Sequence, residues 1–110
     1  MSASRFDRQA RYAPIGEAGQ ARLEAASVLI VGCGALGGSS ALNLVRSGIG
    51  RVVLVDRDVV ELSNLPRQVL FEERHVGRSK VDAALETLTR IGGPSRVETH
   101  AVHVDADNLA

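Results

Sequence analysis

Hydrophobic residues form two short uninterrupted runs near the middle of the chain, Val28–Val31 and Val52–Val55. Runs of about four to eight apolar residues, bounded by glycine and charged residues, are typical of strands buried on both faces of a parallel sheet. Between them the pattern becomes helical, with a buried stripe running from about Ala35 to Ser47 and Gly48 supplying a left-handed C-cap. The pattern therefore predicts a strand, a helix and a second strand in succession.

The same alternation continues toward the C-terminus. Ser79 and Asp82 resemble a capping box at the start of a second helix, whose hydrophobic stripe stops at Gly92-Gly93-Pro94. Residues 96–104 then alternate with β-branched side chains, which predicts a third strand. Residues 105–110 resemble the capped start of another helix.

These elements together predict an α/β fold with a Rossmann-like parallel sheet and helices on both faces. Right-handed crossovers give the spatial strand order 3-2-1, so the strand before Gly32 lies at an unfinished edge where a fourth strand would pair. We expect residues 1–26, with a short helix from Glu17 to Ala26, to form an N-terminal helical arm. Residues 27–110 would then form the N-terminal half of a nucleotide-binding domain whose remainder lies outside this sequence.

A glycine-rich turn joins the first strand to the first helix. Its sequence, Gly32-Cys-Gly-Ala-Leu-Gly37, allows a tight turn, close approach of the backbone to a phosphate, and close packing of helix on strand. The helix N-terminus adds unpaired N–H groups and a partial positive charge. Asp56 follows Gly32 by 24 residues, where a carboxylate accepts ribose hydrogen bonds. These features predict nucleotide binding, and by themselves they also fit an NAD-dependent oxidoreductase.

The connection after the second strand is long for an α/β fold, in which such loops usually have about two to six residues. It runs from Asp58 to Gly77 without a clear period, but its leucines and valines argue against disorder. Ser63, Asn64 and Arg67 offer two short hydrogen-bonding side chains and a forked cation, which suits an anionic ligand. Lys80 follows in the first turn of the second helix, where the helix dipole disfavours a cation unless a phosphate lies nearby. A turn-rich surface loop and a solvated lysine are the alternatives.

Composition and charge argue against several other functions. Basic and acidic residues both number 13, so no net charge favours nucleic acid, and no run approaches the ~20 apolar residues of a membrane span. We expect a cytoplasmic protein with no DNA or membrane partner. Cys33 is the single cysteine and is interpreted as a buried packing residue, since no activating base is evident beside it. His75, His100 and His103 are interpreted as structural or surface residues, and no metal ligand is assigned.

Taken together, these motifs resemble the ThiF/MoeB/HesA family, bacterial relatives of ubiquitin-activating enzymes. Arg5-Phe-Asp-Arg8-Gln9 is similar to the family's arginine-rich opening motif, and Asp56-Arg-Asp58 to its acid pair. Ser63-Asn-Leu-Pro-Arg67-Gln68 is similar to its most distinctive signature, and Gly77-Arg-Ser-Lys80 follows at the family's spacing. The resemblance covers nearly the whole chain, and the order and spacing of the motifs make it specific.

The resemblance implies an enzyme that uses ATP and Mg²⁺ to adenylate the C-terminal glycine of a ubiquitin-like sulfur-carrier protein, as in thiamine or molybdopterin synthesis. It implies that Asp56 holds the ribose, that Asn64 contacts the phosphates, and that Arg8, Arg67 and Lys80 are catalytic. Arg8 would act as an arginine finger that reaches the neighbouring subunit of a homodimer. The implied nucleotide-binding residues are Gly32, Gly34, Ala35, Gly37, Asp56, Asp58, Ser63, Asn64, Arg67 and Lys80.

Two residues depart from the family pattern: Ala35 stands where many members have glycine, and Pro66 replaces a polar residue in the signature. The family's main Mg²⁺ ligand, its carrier-binding surface and any catalytic cysteine would lie beyond Ala110, so we expect these residues alone to be inactive. Within the family, enzymes that adenylate and dehydrate a modified tRNA base are an alternative. A non-catalytic nucleotide-binding subunit is another.

Overall fold

The computed structural model describes residues 5–105 and 107. The helices and strands are α1 (Asp7–Arg11), α2 (Gly16–Ala25), β1 (Ser27–Val31), α3 (Ala35–Ser47), β2 (Arg51–Val55), α4 (Lys80–Ile91) and β3 (Arg96–His100). The connection between β2 and α4 contains two short 3₁₀ turns, Leu62–Asn64 and Glu73–His75. In the part of the chain that the structure describes, no helix combines the length and apolarity needed to cross a membrane.

The three strands form one parallel sheet in the order β1-β2-β3. Val28 of β1 lies opposite Val52 of β2, which in turn lies opposite Val97 of β3. This arrangement confirms the predicted α/β class and strand order. It also places β1, which leads into the glycine turn, at an edge of the described sheet.

Both crossover helices lie against one face of this sheet. Val52 and Leu54 point into a core that they share with Ala41 of α3 and Leu88 of α4. The alternate residues of β1 face the other way, and Leu29 and Val31 are 52% and 59% exposed. Two successive right-handed crossovers in the same direction place their helices on the same side of a sheet. The described residues therefore show helices on one face, and coverage of the second face stays a prediction.

The N-terminal helices are anchored at the C-terminal end of α3. The Gln9 Nε2 atom donates a hydrogen bond to the Ser47 carbonyl oxygen at 2.6 Å, and the Gln20 Nε2 atom donates to the same oxygen at 3.2 Å. Gly48 adopts φ +91°, the left-handed C-cap expected from the sequence, and the buried Phe6 ring packs directly against it. These contacts fix α1 at the end of α3 that is remote from the glycine turn.

The start of α4 differs from the prediction. The Ser79 side chain makes no capping hydrogen bond, and its hydroxyl is buried without a hydrogen-bond partner. Instead, the Lys80 N–H donates to the Asp58 carbonyl oxygen at 2.9 Å, and Val59 forms an antiparallel bridge with Ser79. The predicted capping box is wrong because main chain from the preceding loop, which is distant in sequence, already supports this helix start.

β3 is shorter than predicted and ends at His100 rather than at residue 104. At this end, β3 is hydrogen-bonded to the residue that follows β2: the Asp56 N–H donates to the His100 carbonyl oxygen at 3.2 Å. Because β2 has already ended at Val55, residues 101–105 have no strand beside them among residues 5–105 with which to pair. The helix start predicted at 105–110 lies largely outside the described residues.

We predict that replacing Ala41 by leucine lowers the free energy of unfolding of the intact protein by about 1–3 kcal/mol, the usual effect of overpacking a core. Ala41 is fully buried where α3 meets the sheet and α4, so a larger side chain has no space. Asn43→Leu, at an exposed position of the same helix, should change the free energy by less than about 0.5 kcal/mol. Urea unfolding measures both, and equal effects would contradict the packing described for Ala41.

Candidate functional site

The loops that follow β1 and β2 meet at the carboxyl edge of the sheet. The Cys33 N–H donates to Asp56 Oδ2 at 2.7 Å, and the Asp58 N–H donates to Asp56 Oδ1 at 2.8 Å. Each carboxylate oxygen therefore has one backbone partner and keeps lone pairs for a ligand. Asp56 is therefore fixed in orientation and remains only partly buried, so these lone pairs are open to a ligand.

The glycines of the turn differ in whether their backbone and surroundings would accept a side chain. Gly32 adopts φ +96°, and a Cβ atom on Gly37 would lie only 1.9 Å from the Gly32 carbonyl oxygen, so neither position accepts a side chain without strain. Gly34 adopts an ordinary φ of −79°, and the nearest heavy atom to a Cβ built there is Gln68 Nε2, at 4.0 Å. The space over Gly34 and the exposed Ala35, at the N-terminus of α3, is therefore open to a ligand.

A cavity of about 300 Å³ lies between the loop that follows β2 and the start of α4, and it is lined by Asp58, Val59, Glu61, Asn64 and Lys80. Lys80 is only 8% exposed, yet it forms no ion pair with any described residue. Asn64 is equally buried, and its Oδ1 accepts the Glu61 N–H at 2.8 Å, which leaves the amide nitrogen as the donor that can serve a ligand. The cavity thus combines a buried cation with a fixed amide.

Arg67 lies at the outer side of the same loop, where its guanidinium is exposed. Its Nη1 atom donates to the Ser63 carbonyl oxygen at 3.1 Å, so Ser63 supports Arg67 through its main chain. The Arg67 N–H also donates to the Asn64 carbonyl oxygen at 3.2 Å. A guanidinium carries five N–H groups, and most of them remain available to an anion.

Arg8 is not brought together with the other predicted site residues. It belongs to α1, which is hydrogen-bonded to Ser47, the last residue of α3. The glycine turn lies at the other end, directly before the first residue of that helix. A helix of 13 residues is about 20 Å long at ~1.5 Å per residue. Within one chain, the length of α3 therefore separates the elements that carry Arg8 and the glycine turn.

Cys33 is 1% exposed and belongs to the hydrophobic core. Burial, followed by the negative charge of Asp56, raises the pKa of its thiol to about 12, while the charge of Lys80 opposes that shift. The structure confirms the interpretation of Cys33 as a packing residue. The described residues contain no group of three or more histidine, cysteine or acidic side chains that could hold a metal ion.

His75 and Gln68 have structural features that the sequence does not reveal. His75 is fully buried, and its Nδ1 atom accepts the Glu72 N–H at 2.9 Å, which confirms a structural role. Gln68 is 6% exposed, and its Nε2 atom lies beside Gly34. The sequence does not single out Gln68 as a site residue, and its place directly after Arg67 in the signature motif is the available signal.

Comparison with known proteins identifies a single family across this site and fold. The model of the ThiF family matches residues 6–110. The chain is 43% identical to the adenylyltransferase and sulfurtransferase MOCS3 of Culex quinquefasciatus over 96% of this chain and 24% of that protein. It is 44% identical to the sulfur carrier protein ThiS adenylyltransferase of Bacillus subtilis, over 96% of this chain and 32% of that protein.

Solved structures lead to the same group. The tRNA N6-threonylcarbamoyladenosine dehydratase TcdA of E. coli superimposes with a TM-score of 0.87 at 33% identity, over 94% of this chain and 43% of that one. E. coli MccB, solved with ATP, superimposes with a TM-score of 0.85 at 33% identity, over 94% of this chain and 32% of that one. The chain thus spans about a quarter to a third of the curated relatives described above.

We predict that Cys33 does not react with iodoacetamide at pH 8 in the folded protein. With a pKa of about 12, only about one thiol in 10⁴ is ionised at that pH, and burial blocks access as well. Mass spectrometry of the Cys33 peptide should show alkylation at least ~100-fold slower than in the same protein unfolded in urea. Rapid alkylation of the folded protein would contradict both the burial and the raised pKa.

Proposed function

The chain belongs to the ThiF family, and we propose that it forms the ATP-binding part of an enzyme that adenylates the C-terminal carboxylate of a ubiquitin-like sulfur-carrier protein. In this reaction a carboxylate oxygen attacks the α-phosphorus of ATP, pyrophosphate leaves, and an acyl-adenylate forms. Such a reaction requires alignment and neutralisation of charge more than a strong acid or base. The ATP-consuming reaction agrees with the predicted cytoplasmic location.

The observation that carries this proposal is the burial of Lys80 without an ion pair to any residue that the structure describes. A lysine ammonium is rarely buried without a partner, because the loss of hydration is costly. Lys80 also occupies the first turn of α4, where the helix dipole disfavours a cation. A phosphate in the adjoining cavity would offset both costs, and Asn64 in the same cavity offers a further donor.

The remaining residues would each contact a different part of the nucleotide. Asp56, oriented by two backbone N–H groups, would accept hydrogen bonds from the ribose. The open N-terminus of α3 over Gly34 would receive a phosphate, and Arg67 would neutralise charge from the outer side. We assign no Mg²⁺ ligand among these residues, and we keep the expectation that the main one lies beyond residue 110.

The choice of acyl substrate rests on the relatives. The two sequence relatives described above are named for adenylation of a sulfur carrier or for adenylyl and sulfur transfer, which supports a carrier protein as the substrate. The tRNA dehydratase has a closely similar fold and remains the second candidate. An NAD-dependent oxidoreductase is not favoured, because it leaves the buried Lys80, Asn64 and Arg67 without a role.

Arg8 supports the proposal that the enzyme works as a homodimer. Its position beyond the far end of α3 separates it from the phosphate cavity of its own chain. A two-fold axis brings the same surfaces of two copies together in opposite directions, so it can place Arg8 of each copy at the cavity of the other. Arg8 would then stabilise the negative charge of the transferring group as an arginine finger from the partner.

We predict that Arg67→Ala weakens ATP binding by about 1.5–3 kcal/mol, the usual contribution of a hydrogen bond to a charged group. Calorimetric titration with Mg-ATP measures this effect. Arg74→Ala is the matched control, since Arg74 is an exposed arginine of the same connection but pairs with Glu72 at 2.9 Å. If Arg67→Ala retained full affinity, the phosphate role of Arg67 would be wrong.

We predict that mixing two inactive variants of the intact protein, Arg8→Ala and Lys80→Ala, restores pyrophosphate exchange with the carrier substrate. Random subunit exchange makes about half of the dimers mixed, and each mixed dimer holds one intact site, so about a quarter of the activity should return. The control mixture is Arg67→Ala with Lys80→Ala. It should stay inactive, because Arg67 and Lys80 would both serve the phosphates bound by their own chain, so no mixed dimer holds an intact site. Absence of restoration in the first mixture would refute an arginine finger supplied by the partner.

A further inference from the structure

Gln68 has a buried side-chain amide, and neither its oxygen nor its nitrogen forms a hydrogen bond with another residue that the structure describes. The residue is 6% exposed, and its Oε1 atom is buried without a hydrogen-bond partner. An unsatisfied buried polar group usually destabilises a fold by about 1–3 kcal/mol. A leucine of similar size would fill the same space without that cost. The amide is therefore unfavourable for the stability of the free protein.

The main chain around Gln68 is held by hydrogen bonds and by packing of the neighbouring Leu70. Its N–H donates to the Asn64 carbonyl oxygen at 2.9 Å, and its own carbonyl oxygen accepts the Phe71 N–H at 3.3 Å. Two residues further on, the Leu70 side chain fits the space over Gly38, with 3.5 Å between its Cδ1 atom and a Cβ built there. The loop that contains residues 63–70, here called the signature loop, is thereby held against the first turn of α3, and Gln68 lies between them.

The Gln68 amide faces the open N-terminus of α3. Its Nε2 atom is the nearest heavy atom to the side-chain position of Gly34, the residue that precedes the helix. The first turn of an α-helix leaves N–H groups without partners inside the helix, and these attract an anion together with the helix dipole. The amide therefore adds an N–H donor on the loop side of the same opening.

We infer that the Gln68 amide is a further phosphate-binding group, which donates a hydrogen bond from Nε2 to a phosphate oxygen seated over Gly34 at the N-terminus of α3. The inference rests on the proposed function, because it takes ATP as the ligand. It adds a neutral donor from the signature loop to the cations Arg67 and Lys80. The phosphate would thus contact the glycine turn and the signature loop at once, so that both elements position it.

The test uses Gln68→Leu in the intact protein, with Kd values for Mg-ATP and for adenosine measured by calorimetry. Loss of a hydrogen bond to a charged oxygen should raise the Kd for ATP about tenfold. The Kd for adenosine, which lacks phosphate, should not change. The melting temperature without ligand should be unchanged or higher, because the buried unsatisfied amide is gone.

A second variant and a matched control keep the test decisive. Gln68→Glu has the same shape but directs a negative charge at the phosphate, so its Kd for ATP should exceed that of Gln68→Leu. Gln20→Leu removes the other buried glutamine, at the opposite end of α3, where the amide is fully engaged. This control should lower the melting temperature and leave the Kd for ATP unchanged.

Three outcomes would overturn the inference. The first is an unchanged Kd for ATP in Gln68→Leu while Arg67→Ala binds weakly, which would leave the proposed function standing. The second is equal weakening of ATP and adenosine with a lower melting temperature, which would show a purely structural role. The third is the absence of ATP binding by the unaltered protein, which would remove the proposed function as well.

Discussion

The Asp56 carboxylate holds together the two loops from which the site is built. One oxygen accepts the Cys33 N–H from the glycine turn, and the other accepts the Asp58 N–H from the loop that leads to α4. Hydrogen bonds to a carboxylate are stronger than those between neutral groups, and here both donors are backbone groups that cannot rotate away. This one side chain therefore links the glycine turn directly to the loop that lines the cavity of Lys80. The same carboxylate would hold the ribose, so the structural role and the proposed binding role coincide.

The elements predicted most accurately are those determined by nearby residues. α3 begins at Ala35 and ends at Ser47, as expected, because the glycine turn before it and Gly48 after it are local signals. The predictions that failed concern helix and strand ends that are determined by residues distant in the sequence. The end of β3 is set by where β2 leaves the sheet, and the start of α4 is supported by Asp58 and Val59 rather than by Ser79. Such long-range contacts leave no signal in a short window of sequence.

The candidate site shows the same division. The residue types at Asp56, Asn64, Arg67 and Lys80 can be recognised from motifs, and the structure gathers them at one edge of the sheet. Their burial is a property of the tertiary fold, so the sequence does not show that Lys80 is enclosed without an ion pair among the described residues, or that Ser63 supports Arg67 through its main chain. The separation of Arg8 from the cavity is likewise invisible until α1 is seen at the far end of α3.

Buried polar groups have hydrogen-bond partners at the C-terminal end of α3, but some lack them at its N-terminal end among the described residues. This contrast connects stability with function. At the C-terminal end, the amides of Gln9 and Gln20 share the Ser47 carbonyl oxygen and bind each other, so the anchor of the N-terminal helices is satisfied internally. At the N-terminal end, the Gln68 oxygen has no hydrogen-bond partner and the Lys80 ammonium has no ion pair among the described residues. A fold selected for stability alone would place apolar side chains at these positions. An anion held where the helix dipole attracts negative charge would pair with the Lys80 ammonium and accept a hydrogen bond from the Gln68 amide nitrogen, which would offset the cost of burying these two groups.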